Sequence, residues 1–148
     1  TAQVPSPLCV ARSERTAAAI FGGLALLLLV ISASLHPASS GMGTHTQLGL
    51  PPCGWAVNTG YPCPTCGMTT AFAAAANSRF LASFRAQPFG SLLAVSTAVG
   101  FWGCAHVAVF GSRLGRLFSR ILSGKVLTLL VILFLLSWGY KIFAAAGA

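Results

Sequence analysis

Three long apolar stretches alternate with polar and basic segments along the chain. The first covers 16–35, the second covers 88–111, and the third runs from 126 to about 143, with one lysine near its end. A run of about 20 apolar residues can cross the ~30 Å hydrocarbon layer of a bilayer as an α-helix. The pattern therefore predicts an all-α integral membrane protein with three transmembrane helices.

The stretch 67–86 has a different pattern. Apolar residues recur every four positions from Phe72 to Phe84, which is the spacing of one helix face. Arg79 and Arg85 interrupt the apolar sequence, and two arginines within a span are costly in hydrocarbon. We therefore expect one amphipathic helix over 67–86 that lies in the interface or re-enters the membrane partway.

The stretch 36–66 predicts a loop, because it is rich in proline and glycine and has no helical or strand periodicity. A loop of about 30 residues is long for a compact protein, and such loops are usually functional or cross-linked. This one contains Cys53, Cys63 and Cys66, together with His45. It is therefore the part of the chain with the most chemistry.

Basic residues are distributed unevenly around the spans. The predicted tail, 1–15, and the predicted connector, 112–125, together hold six arginines and lysines, whereas the loop side holds three. By the positive-inside rule, the tail and the connector lie in the cytoplasm and the Cys/His loop lies outside it. Residues 16–148 then form a single membrane domain.

The composition limits the possible functions. Apolar residues make up 55% of the 148 positions and charged residues 7%, with a net charge of +8 and Glu14 as the only acid. The basic residues flank the spans instead of forming a continuous face, which argues against nucleic-acid binding. A single carboxylate excludes paired-carboxylate catalysis, and no glycine-rich phosphate loop is present.

The cysteine spacing in the loop is compatible with three kinds of site. His45, Cys53, Cys63 and Cys66 supply four ligands of the types that a closed tetrahedral zinc site uses. A Cys-x-x-Cys pair before a helix is also typical of thiol redox centres, although the strand and helix alternation of a thioredoxin-like fold is missing. The third interpretation is an ordinary disulfide from Cys53 to one of the other two, or reduced cysteines with a packing role.

The motif residues resemble a known family. Residues 41–72 read GMGTHTQLGLPPCGWAVNTGYPCPTCGMTTAF, and RFLASFRAQPFG follows at 79–90. This is similar to the small bacterial membrane proteins grouped as domain of unknown function 2752, in the form found in planctomycete-type bacteria. The resemblance covers about 41–111 and centres on a Cys-Pro-x-Cys-Gly-x-Thr core, here Cys63 to Thr69. A basic residue often follows the core threonine in that family, whereas this chain has Thr70.

The resemblance implies a multi-span helical protein of the bacterial inner membrane, without an assigned activity. From the residues we expect a non-enzymatic accessory or scaffold subunit, whose loop is fixed by the Cys/His site and whose partners are the lipid bilayer and other membrane chains or copies of itself. The alternative is a metal-binding or thiol redox protein that uses Cys63 and Cys66.

Overall fold

A computed structural model describes residues 12–112 and 123–146 of the chain. Its three long helices are α1 (Arg12–Ser34), α5 (Pro88–Phe110) and α6 (Gly124–Ala146), and all three are long and apolar enough to cross a membrane. The described residues contain no strand. The three predicted spans and the all-α class are therefore confirmed. Most of the predicted tail, 1–15, and of the predicted connector, 112–125, lies outside the described residues.

Four short helices lie between α1 and α5. A 3₁₀ helix (Thr44–Leu48) and α2 (Gly54–Thr59) lie within the predicted loop, and α3 (Met68–Ala76) and α4 (Phe80–Ala86) follow it. The loop 36–66 thus contains two helical segments that its irregular sequence did not predict. Both are too short to show a periodic pattern, and each ends at a glycine with positive φ.

The segment 67–86 forms two helices instead of the single one predicted. The break lies at Ser78, whose φ of 59° is in the left-handed region. The Asn77 side-chain amide donates back to the Ala73 carbonyl at 2.8 Å, a local bond that competes with continuation of the helix. Because of the break, Phe80 and Phe84 are exposed while Phe72 is half-buried, so the four-residue periodicity does not mark one continuous face.

Helix α3 lies at the centre of the packed part of the molecule. Ala71, Ala73 and Ala74 are almost completely buried, and these small side chains allow α5 to approach closely. A Cβ added at Gly90 of α5 would lie 3.0 Å from the Ala71 Cβ. The Ser83 hydroxyl donates to the Ala71 carbonyl at 2.7 Å and so ties α4 to α3.

Helices α1 and α5 are antiparallel neighbours. The guanidinium of Arg15, in the first turns of α1, donates to the Ala108 carbonyl at 2.8 Å, near the end of α5. Gly22 packs against α5, where an added Cβ would lie 3.1 Å from the Cys104 Cβ, whereas Gly23 faces open space. Of the two glycines, Gly22 alone serves as a contact point between these helices.

The third long helix, α6, joins the other elements through polar side chains near its C-terminal end. The Ser137 hydroxyl accepts a hydrogen bond from the Phe89 amide at 3.1 Å, and the Trp138 indole donates to the Pro62 carbonyl at 3.1 Å. The loop, the start of α5 and the end of α6 therefore meet at one end of the molecule. The candidate site lies at this end.

Candidate metal centre

The Cys-x-x-Cys segment forms a tight turn directly before α3. The Cys66 amide donates to the Cys63 carbonyl at 3.0 Å, and the Met68 amide donates to the Thr65 carbonyl at 3.1 Å. The ring of Pro64 restricts the backbone within the turn. The result is that the two sulfurs lie on one side, with 3.1 Å between the Sγ atoms of Cys63 and Cys66.

Cys53 completes a group of three sulfurs. It immediately precedes α2, and its Sγ lies with those of Cys63 and Cys66 so that all three are within 4.8 Å of one another. Tetrahedral coordination with zinc–sulfur bonds of about 2.3 Å places ligand sulfurs about 3.8 Å apart. The cysteine cluster, meaning Cys53, Cys63 and Cys66, is therefore close to the size of one face of a zinc site, and the three thiols are free in the structure.

The cysteine cluster lines an open cavity of about 920 Å³ between the loop and the long helices. Cys66 is buried, and Cys53 and Cys63 are half-buried. Leu28 of α1 and Leu93 of α5 contribute apolar wall. The thiols are therefore accessible to a small ion or reagent from the cavity while their backbone is held by the surrounding helices.

The two thiols of the turn have different acidities. Burial alone would raise the pKa of Cys63, but hydrogen bonds to its sulfur from Thr65, Cys66 and Cys53 outweigh burial and lower that pKa from 9.0 to about 7. Burial raises the pKa of the Cys66 thiol, and its hydrogen bond to Cys63 raises it further. Without a metal, Cys63 is thus the thiol of this pair that ionises first.

His45, the fourth predicted ligand, lies apart from the cysteine cluster. Its Nε2 is 3.2 Å from the carbonyl oxygen of Pro51, and it is not among the ligand atoms that gather within 4.8 Å. It does line the same cavity as the three cysteines. The structure thus brings together three of the four predicted ligands and places the fourth on the wall of their cavity.

Three residues that the motif did not indicate hold the turn and the neighbouring loop against the helices. The Gln87 side-chain amide donates to the Pro64 carbonyl at 3.1 Å. The Trp138 indole holds the preceding residue, Pro62. Lys141, the lysine near the end of the third predicted span, is only 6% exposed. Its Nζ donates to the carbonyls of Ala86, at 2.7 Å, and Gly41, at 3.2 Å.

Gly67 lies where these contacts converge. Its φ is +90°, and a Cβ added there would lie 2.8 Å from the carbonyl oxygens of both Ala86 and Gly41 and 3.2 Å from the Lys141 Nζ.

A sequence signal for Lys141 and Trp138 does exist. Phe134, Ser137, Trp138 and Lys141 have the i, i+3, i+4, i+7 spacing of one helix face, so a polar face near the end of α6 could have been recognised.

Comparison with known proteins covers the same region. Residues 53–101 match the family model described as "Protein of unknown function (DUF2752)". The match confirms the predicted resemblance to this family over residues 53–101, which lie within the 41–111 predicted from the motif residues. The DUF2752 segment begins at Cys53 and contains the whole cysteine cluster, whereas His45 and Lys141 lie outside it. No curated protein and no solved structure matches the chain.

Proposed function

We propose that the chain is a non-enzymatic, multi-pass subunit of the bacterial inner membrane, in which a structural zinc ion at the cysteine cluster fixes the loop against the helices. The observation that carries this proposal is the approach of three cysteine sulfurs to within 4.8 Å of one another, from two separate parts of the loop. A loop of this length has little core of its own, and metal binding would stabilise its fold directly.

The charge around the cluster supports the same proposal. Zinc bound by three thiolates and one neutral imidazole carries a net charge of about −1. The Lys141 ammonium lies beside Gly67, the residue that follows Cys66. A buried positive charge next to the site would offset the negative charge of a zinc–thiolate centre. No acidic side chain lies near Lys141 in the sequence to pair with its charge, because Glu14 is the only acid.

A thiol redox role is the second candidate, and the chemistry of Cys63 favours it. A thiol with a pKa of about 7 is partly ionised at neutral pH, and the Cys66 sulfur is 3.1 Å away as a resolving partner. The position of Cys53 favours zinc over this role, because a catalytic dithiol does not need a third cysteine within contact distance.

The surfaces of the long helices support an accessory role within the membrane. Trp102, Phe110 and Phe143 are each more than 70% exposed, which suits contact with lipid or with other membrane chains. Three spans enclose little space, so we propose association with other subunits or with further copies of the chain. The uneven distribution of basic residues supports a cytoplasmic N-terminus and an extracytoplasmic Cys/His loop.

Metal analysis of the protein purified in detergent tests the zinc proposal. We expect about one zinc per chain, and its loss in Cys66→Ser. Cys104→Ser is the matched control, because Cys104 lies in α5 away from the cluster, and this variant should retain zinc. A mass shift on alkylation without reductant distinguishes free thiols from a disulfide. Metal-free protein with a Cys63–Cys66 disulfide that forms and reduces reversibly would favour the redox role instead.

A further inference from the structure

A second cavity, of about 920 Å³, lies at the same end of the molecule and has a different lining from the first. Three cations border it: Arg79, which immediately precedes α4, Arg85 in the last turn of α4, and Lys141 from α6. We call it the basic cavity. Its volume falls within the range of about 300–1,000 Å³ that small-molecule sites occupy.

No carboxylate side chain lies near these cations. Glu14 is the only acid in the sequence, and it lies in the first turn of α1. The basic cavity contains Pro37, just beyond the other end of that helix. Twenty residues of α-helix separate Glu14 from Ser34, a distance of about 30 Å. Arg79 and Arg85 therefore have no carboxylate side chain to balance their charge, and water or a bound anion balances it instead.

The lining suits an anion that carries an apolar part. The hydroxyl-bearing residues Ser39, Ser40 and Ser78 line the cavity with the three cations, and serine hydroxyls and guanidinium groups are good donors to phosphate oxygens. Phe80 and Leu81 also line it and are 59% and 65% exposed. The basic cavity is thus bordered by exposed apolar side chains, which can contact the apolar part of a bound anion.

The position of the cavity matches the depth of lipid phosphates. Pro37 follows the end of α1, Arg85 lies just before the start of α5, and Lys141 lies near the end of α6. All three long helices therefore begin or end at this level, which is where a bilayer changes from hydrocarbon to headgroups. Lys141 is 6% exposed, so its charge is held in place and is not free to reach bulk water.

We propose that the basic cavity binds the phosphate of an anionic phospholipid headgroup, with Arg79 and Arg85 as the main donors and an acyl chain lying against Phe80 and Leu81. The bound lipid would supply the negative charge that no carboxylate side chain provides for Arg79 and Arg85. It would also connect α4 to the end of α6, since both contribute to the cavity. Its main donors, Arg79 and Arg85, are not part of the cysteine cluster, and the site does not require zinc.

Lipid binding to the delipidated protein in detergent tests this proposal, with phosphatidylglycerol and phosphatidylcholine as probes and native mass spectrometry as the readout. We expect phosphatidylglycerol to bind more tightly, and Arg79→Gln/Arg85→Gln to weaken it by about 10- to 30-fold. Both arginine side chains are exposed, so the double variant should fold. Arg79→Lys/Arg85→Lys should retain most of the binding.

The matched control is Arg12→Gln/Lys125→Gln, which removes two exposed charges from the other end of the bundle and should leave binding unchanged. Equal losses in the two glutamine variants would overturn the proposal, since they would indicate a general charge effect. Equal affinity for the two lipids would also overturn it. Displacement of phosphatidylglycerol by millimolar inorganic phosphate would assign the cavity to a soluble phosphate compound and rule out the lipid.

Discussion

The Nζ of Lys141 lies 2.7 Å from the carbonyl oxygen of Ala86, the last residue of α4. A cation at this position interacts favourably with the negative end of a helix dipole. The same ammonium also donates to Gly41, which is 100 residues away in sequence. One buried side chain therefore joins the end of α6 to α4 and to the loop that leads to the cysteine cluster.

Replacement of Lys141 by methionine should destabilise this junction. The methionine retains much of the side-chain volume but leaves the carbonyls of Ala86 and Gly41 without their donor. Hydrogen bonds from charged groups contribute about 1.5–3 kcal/mol, so we expect the midpoint of thermal unfolding in detergent to fall by several degrees. Circular dichroism measures this midpoint. Lys125→Met is the control, because Lys125 is exposed near the start of α6; an equal fall in the control would contradict the assigned role.

Gly67→Ala should destabilise the protein more than an alanine at another glycine with positive φ. Gly67 has φ +90° and its added Cβ would meet two carbonyl oxygens at 2.8 Å, whereas Gly49 has φ +76° and open space around it. Gly49→Ala therefore carries only the left-handed backbone penalty, about 1–2 kcal/mol. Gly67→Ala adds the collision and should at least double that loss, as measured by unfolding in detergent. Similar losses in the two variants would show that backbone strain alone matters.

The spans were predictable because a long uncharged run is a local property of the sequence. The two arginines in 67–86 were also recognisable from the local sequence. Both, however, lie after the break at Ser78. The preceding helix, α3, is alanine-rich and buried. The four-residue recurrence of apolar residues from Phe72 to Phe84 continues across the break, and it therefore predicted one interfacial helix instead of two helices. Small residues form both exposed and buried helices, and only the packing against α5 at Gly90 distinguishes the two cases.

The parts of the candidate site that depend on contacts between residues close in sequence could be predicted, whereas those that depend on distant contacts could not. The turn from Cys63 to Cys66 follows from two cysteines three positions apart, and the approach of Cys53 followed from its place in the same loop. The position of His45 depends on the conformation of the loop between the 3₁₀ helix and α2, for which the sequence has no periodic signal. The role of Lys141 depends on a contact across 100 residues, which a single sequence does not encode locally.

Thiol reactivity in the metal-free protein should follow the lowered pKa of Cys63. Because hydrogen bonds lower that pKa from 9.0 to about 7, the thiolate predominates above about pH 7. The alkylation rate of Cys63 should rise through that pH and level off above it, while Cys66 reacts slowly because its pKa is raised. Iodoacetamide labelling followed by peptide mass spectrometry measures each site separately.

A cysteine variant checks the cause of this shift. Cys53→Ala removes one of the hydrogen bonds that lower the pKa of Cys63, so the midpoint should move to higher pH. Cys104→Ala leaves the cluster intact and should leave the midpoint unchanged. A midpoint for Cys63 near 9 in the unmodified sequence would show that its sulfur lacks these hydrogen bonds in solution.

His45→Ala should weaken zinc binding if the imidazole is the fourth ligand. The ring lines the cavity of the cysteine cluster but contacts the Pro51 carbonyl, so ligation requires it to exchange that contact for the metal. Loss of one of four ligands should lower zinc affinity by more than about tenfold, measured by competition with a chelator. His45→Cys should retain zinc, because four thiolates also form a closed site. His36→Ala is the control, since the hydrogen bonds of His36 to Gln47 use only its backbone.

Unchanged zinc affinity in His45→Ala would assign the ion to the three cysteines alone. Structural zinc sites are closed by four protein ligands, whereas sites with three protein ligands keep an open position for water or substrate. The open position would then face the cavity of about 920 Å³ that the cysteine cluster lines. This one substitution therefore distinguishes a metal that only fixes the loop from a metal that is available for reaction, and the second result would contradict the non-enzymatic role proposed for the chain.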